Sequence, residues 1–182
     1  AAIALAGVGK TSFRDAFREI CNVAMGRAAA LLAKVLDVFV KLPIPNVNEI
    51  DPGELLMALS SAQGDSRVTA VCQGFISSGI AGEALLLFHD ASVQEIAQLM
   101  KTRATTPELE MEMLMDISSI IIGACLKGLA EQIDTHFSQG HPVVLGQHCK
   151  VADLMLVNQK RWKKMLAVEI AYTLEAHKVS FD

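Results

Sequence analysis

FRDAFREICNVAMGRAAALLAKVLDVFV, residues 13–40, predicts one long amphipathic helix. Thr11 or Ser12 is a suitable N-cap, and Lys41-Leu-Pro43 ends the run because proline does not continue a helix. Small or apolar side chains gather on one face at helical spacing, namely Phe17, Cys21, Ala24, Ala28, Leu31, Val35 and Phe39. We expect this face to pack on a sheet.

The opposite face of the helix carries an acidic-amide stripe. At 100° per residue, Asp15, Glu19 and Asn22 fall within about 60° of one another. Asparagine is a mediocre helix former, so a place in mid-helix contributes little to stability and suggests a functional reason. Taken alone, such a stripe is more often an ordinary solvated surface, and the functional interpretation needs support from the rest of the sequence.

The segments after this helix occur in an order that the second half repeats. The first half continues with an extended piece at Ile44–Ile50, a short helix at Glu54–Ala62, strands at Arg67–Ser77 and Gly82–His89, and a helix at Ser92–Lys101 with a Ser92/Glu95 capping box. The second half has a long helix from Thr106-Pro107 to about Ile133, an extended piece at His141, a helix at Ala152–Trp162, a strand at Met165–Glu175 and the start of another at Lys178.

A shift of 97 residues relates the two halves. It takes Asp15 to Glu112, Glu19 to Asp116, Asn22 to Ser119, Gly26 to Gly123 and Pro45 to Pro142. We therefore predict an α+β fold in one domain, residues 1–182, built from two tandem pseudo-symmetric repeats of about residues 1–97 and 98–182. The repeats are expected to form a mostly antiparallel sheet with two long helices packed on one face.

The spacing Asp15-x3-Glu19-x2-Asn22-x22-Pro45 resembles the signature of the CheC/CheX/FliY family of chemotaxis phosphatases. In that signature Asp or Ser, Glu, Asn and Pro stand at these same intervals, and all four positions match. The local texture around Glu19-Ile-Cys-Asn22 and Gly26 is also similar to the family's "EIGN…AG" helix. A duplicated domain with one site in each half is typical of the CheC branch, so the resemblance extends over essentially the whole chain.

The resemblance implies a protein phosphatase that hydrolyses the aspartyl-phosphate of a phosphorylated CheY-like response regulator. It assigns Asn22 to orient the attacking water and Glu19 to anchor the receiver domain through a charge-assisted contact with the receiver's lysine. Asp15 and Pro45 are interpreted as supporting residues. No cofactor is expected on this chain, since the Mg²⁺ of the reaction belongs to the receiver.

The second copy departs from the signature at two positions. Asp116 is a shortened glutamate, and Ser119 replaces the asparagine. A hydroxyl is shorter than a carboxamide and does not span the same donor and acceptor positions around a water. We therefore expect the second site, Glu112, Asp116, Ser119 and Pro142, to be inactive or much weaker.

Composition excludes several other classes of function. The 16 Lys and Arg against 20 Asp and Glu give a net charge of −4, which does not suit nucleic-acid binding, since that needs clustered positive charge. The apolar run Ile117–Leu126 is interrupted by Ser118 and Ser119, and it is shorter than the roughly 20 residues of a membrane span. Neither nucleic acid nor membrane is expected as a partner.

Cysteine and histidine spacings give no sign of a metal or disulfide framework. The four cysteines have no CxxC pair, which favours reduced, mostly buried thiols and a cytoplasmic location. His136, His141 and His148 lie near Cys149 but fit no closed zinc pattern. The run Gly7-Val-Gly9-Lys10-Thr11 lacks the first glycine of a P-loop, where Ala4 stands instead.

Two alternatives to catalysis stay open at this stage. The chain could be a non-catalytic module that binds a receiver or a CheD-type signalling partner, or a housekeeping α+β domain for which the 97-residue offset is accidental. Both a monomer and a homodimer agree with the sequence, because the duplication can supply both halves within one chain.

Overall fold

A computed structural model describes residues 2–5, 11–36, 38–41, 46–50, 53–54, 57, 66–99, 106–158, 165–169 and 173–176. Its helices are α1 Thr11–Leu36, α2 Val93–Leu99, α3 Pro107–Gln132 and α4 Val151–Asn158, with a 3-10 turn at Asp90–Ser92. Its strands are β1 Ala2–Leu5, β2 Val38–Lys41, β3 Asn46–Ile50, β4 Arg67–Ser77, β5 Ile80–His89, β6 Ser138–Gln139, β7 Val143–Lys150, β8 Met165–Glu169 and β9 Thr173–Ala176.

All strand pairs in the described residues are antiparallel. β4 lies between β5 on one side and β6 and β7 on the other, β8 lies between β1 and β3, and β2 pairs with β9. The core joins the buried faces of α1 and α3 to Val71, Phe75 and Leu86 on one face of the β4–β5 hairpin. The expected α+β architecture, with two long helices on an antiparallel sheet, is confirmed.

The strand registers follow the 97-residue offset. Val47 of β3 pairs with Val168 of β8. The equivalent of Val47 in the second half is Val144, and the equivalent of Val168 in the first half is Val71. Val144 of β7 and Val71 of β4 are also paired. The Lys41–Thr173 pair of β2 and β9 converts in the same way to the observed Ser138–Ile76 pair of β6 and β4. Strands β6 and β7 of the second half therefore pair with β4 of the first, and β2 and β3 of the first half pair with β9 and β8 of the second. These registers support the two repeats, whose boundary near residue 97 stays a prediction.

The first helix is shorter than the sequence indicated. Instead of continuing to Val40, α1 ends at Leu36, and Val38-Phe39-Val40 belongs to β2. β-branched and aromatic residues fit a pleated strand well, and β9 supplies a partner for them from the far end of the chain. Phe39 is consequently not part of the buried helix face that was expected.

Other predicted segments agree with the structure within a few residues. Thr106 caps α3 by accepting a hydrogen bond from the Leu109 N–H at 3.3 Å, with Pro107 in the first turn. The strand expected at Met165–Glu175 is described as β8 and β9, and residues 170–172 between them lie outside the described residues. α4 is described from Val151 to Asn158, and the rest of the helix expected to reach Trp162 lies outside the described residues. The predicted strand from Lys178 lies outside the described residues, as does most of the Glu54–Ala62 helix.

α3 is the core helix of the domain. By length and composition it could cross a membrane, but 67% of its most apolar window is buried inside the fold. Ile117, Ile122 and Leu114 are fully enclosed, and Ser118 satisfies its hydroxyl by donating to the Leu114 carbonyl at 2.5 Å. The apolar character of α3 is thus accounted for by contacts within the chain.

The thiols should differ sharply in reactivity. Cys21, Cys72 and Cys125 are buried and Cys149 is partly exposed, and all four are thiols rather than disulfides. Burial raises the pKa of the Cys21 thiol to about 12, and burial also raises the pKa of Cys149. Because the thiolate is the reactive form, we expect at most one thiol to react with Ellman's reagent at pH 8 in the native protein and four in urea. Cys149→Ser should remove the native reaction, and three or more fast native thiols would contradict this core.

Candidate functional site

The acidic-amide stripe lies on the outer face of α1. Asp15, Glu19 and Asn22 are exposed, whereas Cys21 and Ala24 on the opposite face of the helix are buried. The orientation expected from helical spacing is therefore observed. Within the described residues no hydrogen bond or ion pair engages any of the three polar side chains, so the stripe is available to an external partner.

A close helix contact holds α1 in place beneath this stripe. Gly128 of α3 sits against the Ala24 backbone, where an added Cβ would overlap the Ala24 carbonyl oxygen and lie 3.1 Å from its carbonyl carbon. Arg27 also pairs with Glu131 of α3 at 3.0 Å, although both side chains are about half exposed. Two packed helices give the stripe a rigid base, which a positioning site requires.

The surface just beyond Asn22 is open. Gly26 lies one turn further along α1 and is exposed, and a Cβ built there would meet no atom within 4 Å among the described residues. A bulky side chain at this position would stand beside the carboxamide. The absence of one leaves room for a second protein to approach the helix closely.

The second copy of the motif is presented differently. Glu112 and Asp116 are exposed on α3, but Ser119 is partly buried, and a Cβ built on Gly123 would lie 3.7 Å from the Gln139 side chain. Pro142 is partly buried just before β7. The second site therefore lacks both the carboxamide of Asn22 and the open surface beside Gly26. Pro45, the last residue of the first motif, lies outside the described residues.

A cluster of ionisable side chains that the sequence did not indicate lies between β7 and α3. The His148 imidazole has Nδ1 3.0 Å from Asp90 Oδ2 and Nε2 3.2 Å from Glu110 Oε1. Arg67 donates to the His148 carbonyl at 2.7 Å, at a residue whose φ is 49°. The cluster ties the first turn of α3 to β7 and to the 3-10 turn.

The described residues contain no group of three His, Cys, Asp or Glu side chains placed to hold a metal ion. His148 engages two carboxylates, and His136 and His141 are exposed elsewhere. No local signal could have found the cluster, because Asp90, Glu110 and His148 are far apart in the sequence and meet only through the fold.

Comparison with known proteins identifies the fold. No protein-family model and no curated protein matches the sequence. FliY of Thermotoga maritima superposes with a TM-score of 0.54 at 21% identity, covering 94% of this chain and 87% of FliY. A chain of the FliG–FliM complex from H. pylori gives 0.53 at 15% identity, covering 91% of each chain. CheX of Desulfovibrio desulfuricans gives 0.50 at 11% identity, covering 86% of this chain and 99% of CheX. This chain therefore has the fold of the CheC/CheX/FliY chemotaxis proteins, the family that its helix motif resembles.

Proposed function

We propose that this chain hydrolyses the aspartyl-phosphate of a CheY-like receiver domain, using Glu19 and Asn22 on α1. The observation that carries the proposal is the joint exposure of these two side chains, one turn apart, on a helix whose other face is locked into the core. The spacing matches the signature of phosphatases with this fold. The open surface at Gly26 leaves space for the receiver.

In the proposed reaction the chain supplies position rather than a nucleophile. Water attacks the phosphorus, the bond between phosphorus and the aspartyl oxygen breaks, and the products are inorganic phosphate and the free receiver carboxylate. Asn22 holds the water in line by offering its carbonyl oxygen as an acceptor. Phosphoryl transfer has a loose transition state, so an oriented water in a desolvated site accounts for much of the acceleration.

A neutral amide suits this position better than a carboxylate. Asn22 presents a lone pair to the water without adding negative charge beside a phosphoryl group. Glu19, one turn earlier, supplies the negative charge where it is useful, opposite a lysine of the receiver. Asp15, one turn earlier still, is proposed to support the contact from the edge of the stripe. Mg²⁺ is bound by the receiver and not by this chain.

The direct test follows the decay of a phosphorylated receiver. A stand-alone CheY-like receiver from the same genome is phosphorylated with acetyl phosphate in Mg²⁺, freed of the donor and incubated with or without the chain. We expect decay to be faster with the chain at substoichiometric amounts. Binding without faster decay would contradict catalysis and leave a non-catalytic receiver-binding module, the alternative that the degenerate second copy favours.

Glu19 should control affinity for the receiver. Glu19→Lys places a positive charge opposite the receiver's lysine, so we expect binding of the phosphorylated receiver to weaken at least about tenfold, or about 1.4 kcal/mol. The matched control is Glu95→Lys on α2, an exposed glutamate away from the stripe. Both changes raise the net charge by two, so equal weakening would show that only the overall field matters and would contradict a specific anchor.

A further inference from the structure

A second surface feature lies on α3, away from the stripe of α1. A groove of about 520 Å³ runs along the outer side of the first half of α3, against β7. We call it the α3 groove, and its lining consists of Pro107, Glu108, Met111, Glu112, Met115, Asp116 and Gln147. It includes two positions of the degenerate second motif, for which the proposed phosphatase activity has no use.

The floor of the α3 groove is apolar and its outer edge is acidic. Met111 and Met115 are partly buried one turn apart, and their flexible thioether side chains adapt to varied apolar partners. Glu108, Glu112 and Asp116 follow at four-residue intervals and are all exposed. One row of α3 thus offers apolar contact while the neighbouring row offers three negative charges.

The three carboxylates are uncompensated within the described residues, where no ion pair is formed with any of them. Like charges four residues apart on a helix destabilise it by about 0.2–0.5 kcal/mol per pair. The row therefore carries repulsion that the helix N-terminus offsets only at Glu108, which lies in the first turn. A cationic partner would replace this repulsion between carboxylates with attraction to its own positive charges.

The wall formed by β7 has a polar group that lacks a partner. Gln147 lines the groove, and its Nε2 atom is buried without an acceptor in the described part of the chain. A buried donor without an acceptor costs about 1–3 kcal/mol. A carbonyl or hydroxyl oxygen of a molecule in the groove could accept from it after a small rotation of the side chain.

The two walls are held at a fixed separation. Glu110 on α3 and His148 on β7 are in contact at 3.2 Å, and each is within two residues of groove-lining side chains. The groove is already open in the structure. Binding to a preformed site avoids the ordering cost of a mobile one.

We propose that the α3 groove docks a short amphipathic helix of a partner protein, with lysine or arginine along one side and apolar residues along the adjacent side. Glu108 and Asp116 are eight residues apart, about 12 Å along the helix axis. Cations at positions i, i+4 and i+8 of a partner helix have the same spacing and face the three carboxylates. Its apolar side chains then lie on Met111 and Met115, as in other helix-in-groove complexes. This proposal does not depend on the phosphatase activity of α1.

The test uses a synthetic probe and the whole chain. A fluorescein-labelled 12-residue leucine–lysine peptide, with lysines at i, i+4 and i+8, is titrated with the chain while anisotropy is followed. A scrambled peptide of identical composition is the control for the probe. Glu108→Lys/Glu112→Lys is compared with Glu95→Lys, and circular dichroism confirms that each variant is folded.

We expect the patterned peptide to bind at least tenfold more tightly than the scrambled one, and the double reversal to weaken it at least tenfold. Glu95→Lys should change affinity less than twofold. In methyl-labelled protein, the Met111 and Met115 resonances should shift on binding while that of the buried Met25 does not. Equal binding of both peptides, or unshifted groove methionines, would overturn the proposal. A salt-sensitive dimer of the chain that is lost in the double reversal would assign the groove to a second copy and also overturn it.

Discussion

Asn22→Ala is expected to slow the dephosphorylation of a bound receiver by about 100-fold, equivalent to about 2.7 kcal/mol of transition-state stabilisation. The side chain is exposed, and alanine is the better helix former, so the fold should be unaffected. What is lost is the acceptor that holds the water in line. Because the proposal assigns Asn22 to the water and Glu19 to the receiver, the loss should fall on kcat, with KM little changed.

The matched control for this change is Ser119→Ala on α3. Ser119 occupies the position of Asn22 in the second copy but is partly buried and lacks an amide. We expect its removal to alter the rate less than twofold. The measurement is single-turnover decay of the phosphorylated receiver with saturating wild-type or variant chain. Equal rates for wild type and Asn22→Ala would show that α1 does not position the water, and equal losses in both variants would move the site away from α1.

Gly128→Ala is expected to lower the free energy of unfolding by about 2 kcal/mol. A methyl group at this position would overlap the Ala24 carbonyl oxygen, a backbone atom that cannot rotate away. The two long helices would have to separate, and the contacts around their crossing would loosen. For a domain of this size the change corresponds to a fall in Tm of about 4–8 °C.

Gly26→Ala, on the other helix of the same pair, is expected to change the free energy of unfolding in the opposite direction. A Cβ at Gly26 would meet no described atom, so replacing a mid-helix glycine should stabilise the protein by about 0.5–1 kcal/mol. Urea unfolding of both variants measures the difference directly. If the two substitutions change stability in the same direction by similar amounts, the close approach of α1 and α3 at Gly128 is wrong.

The sequence was sufficient to predict features that depend on local periodicity. The outward orientation of Glu19 and Asn22 follows from their spacing, because a helix converts intervals of three and four into one face. The start of α3 follows similarly, since a threonine cap before a proline is a strong N-terminal signal. These features require knowledge of only a few neighbouring residues.

Features that depend on distant pairing could not be predicted in this way. Val38-Phe39-Val40 continues an apolar helical pattern, and only the presence of β9 makes it a strand. The position of His148 between Asp90 and Glu110 likewise arises from three separate elements. The α3 groove was not anticipated, because Glu112 and Asp116 were considered only as remnants of a motif and Gln147 joins them through the packing of β7.

The exchange of strands between the halves gives the second half a structural role that does not depend on its motif residues. β7 and β6 border β4, while β2 and β3 are bordered by β9 and β8, so removing either half would expose unpaired edges throughout the other. Selection that keeps the first half folded therefore also keeps the second half folded, even where the polar residues of the second half change. The outer side of α3, which only has to keep the helix folded, is therefore a surface on which a different specificity can evolve.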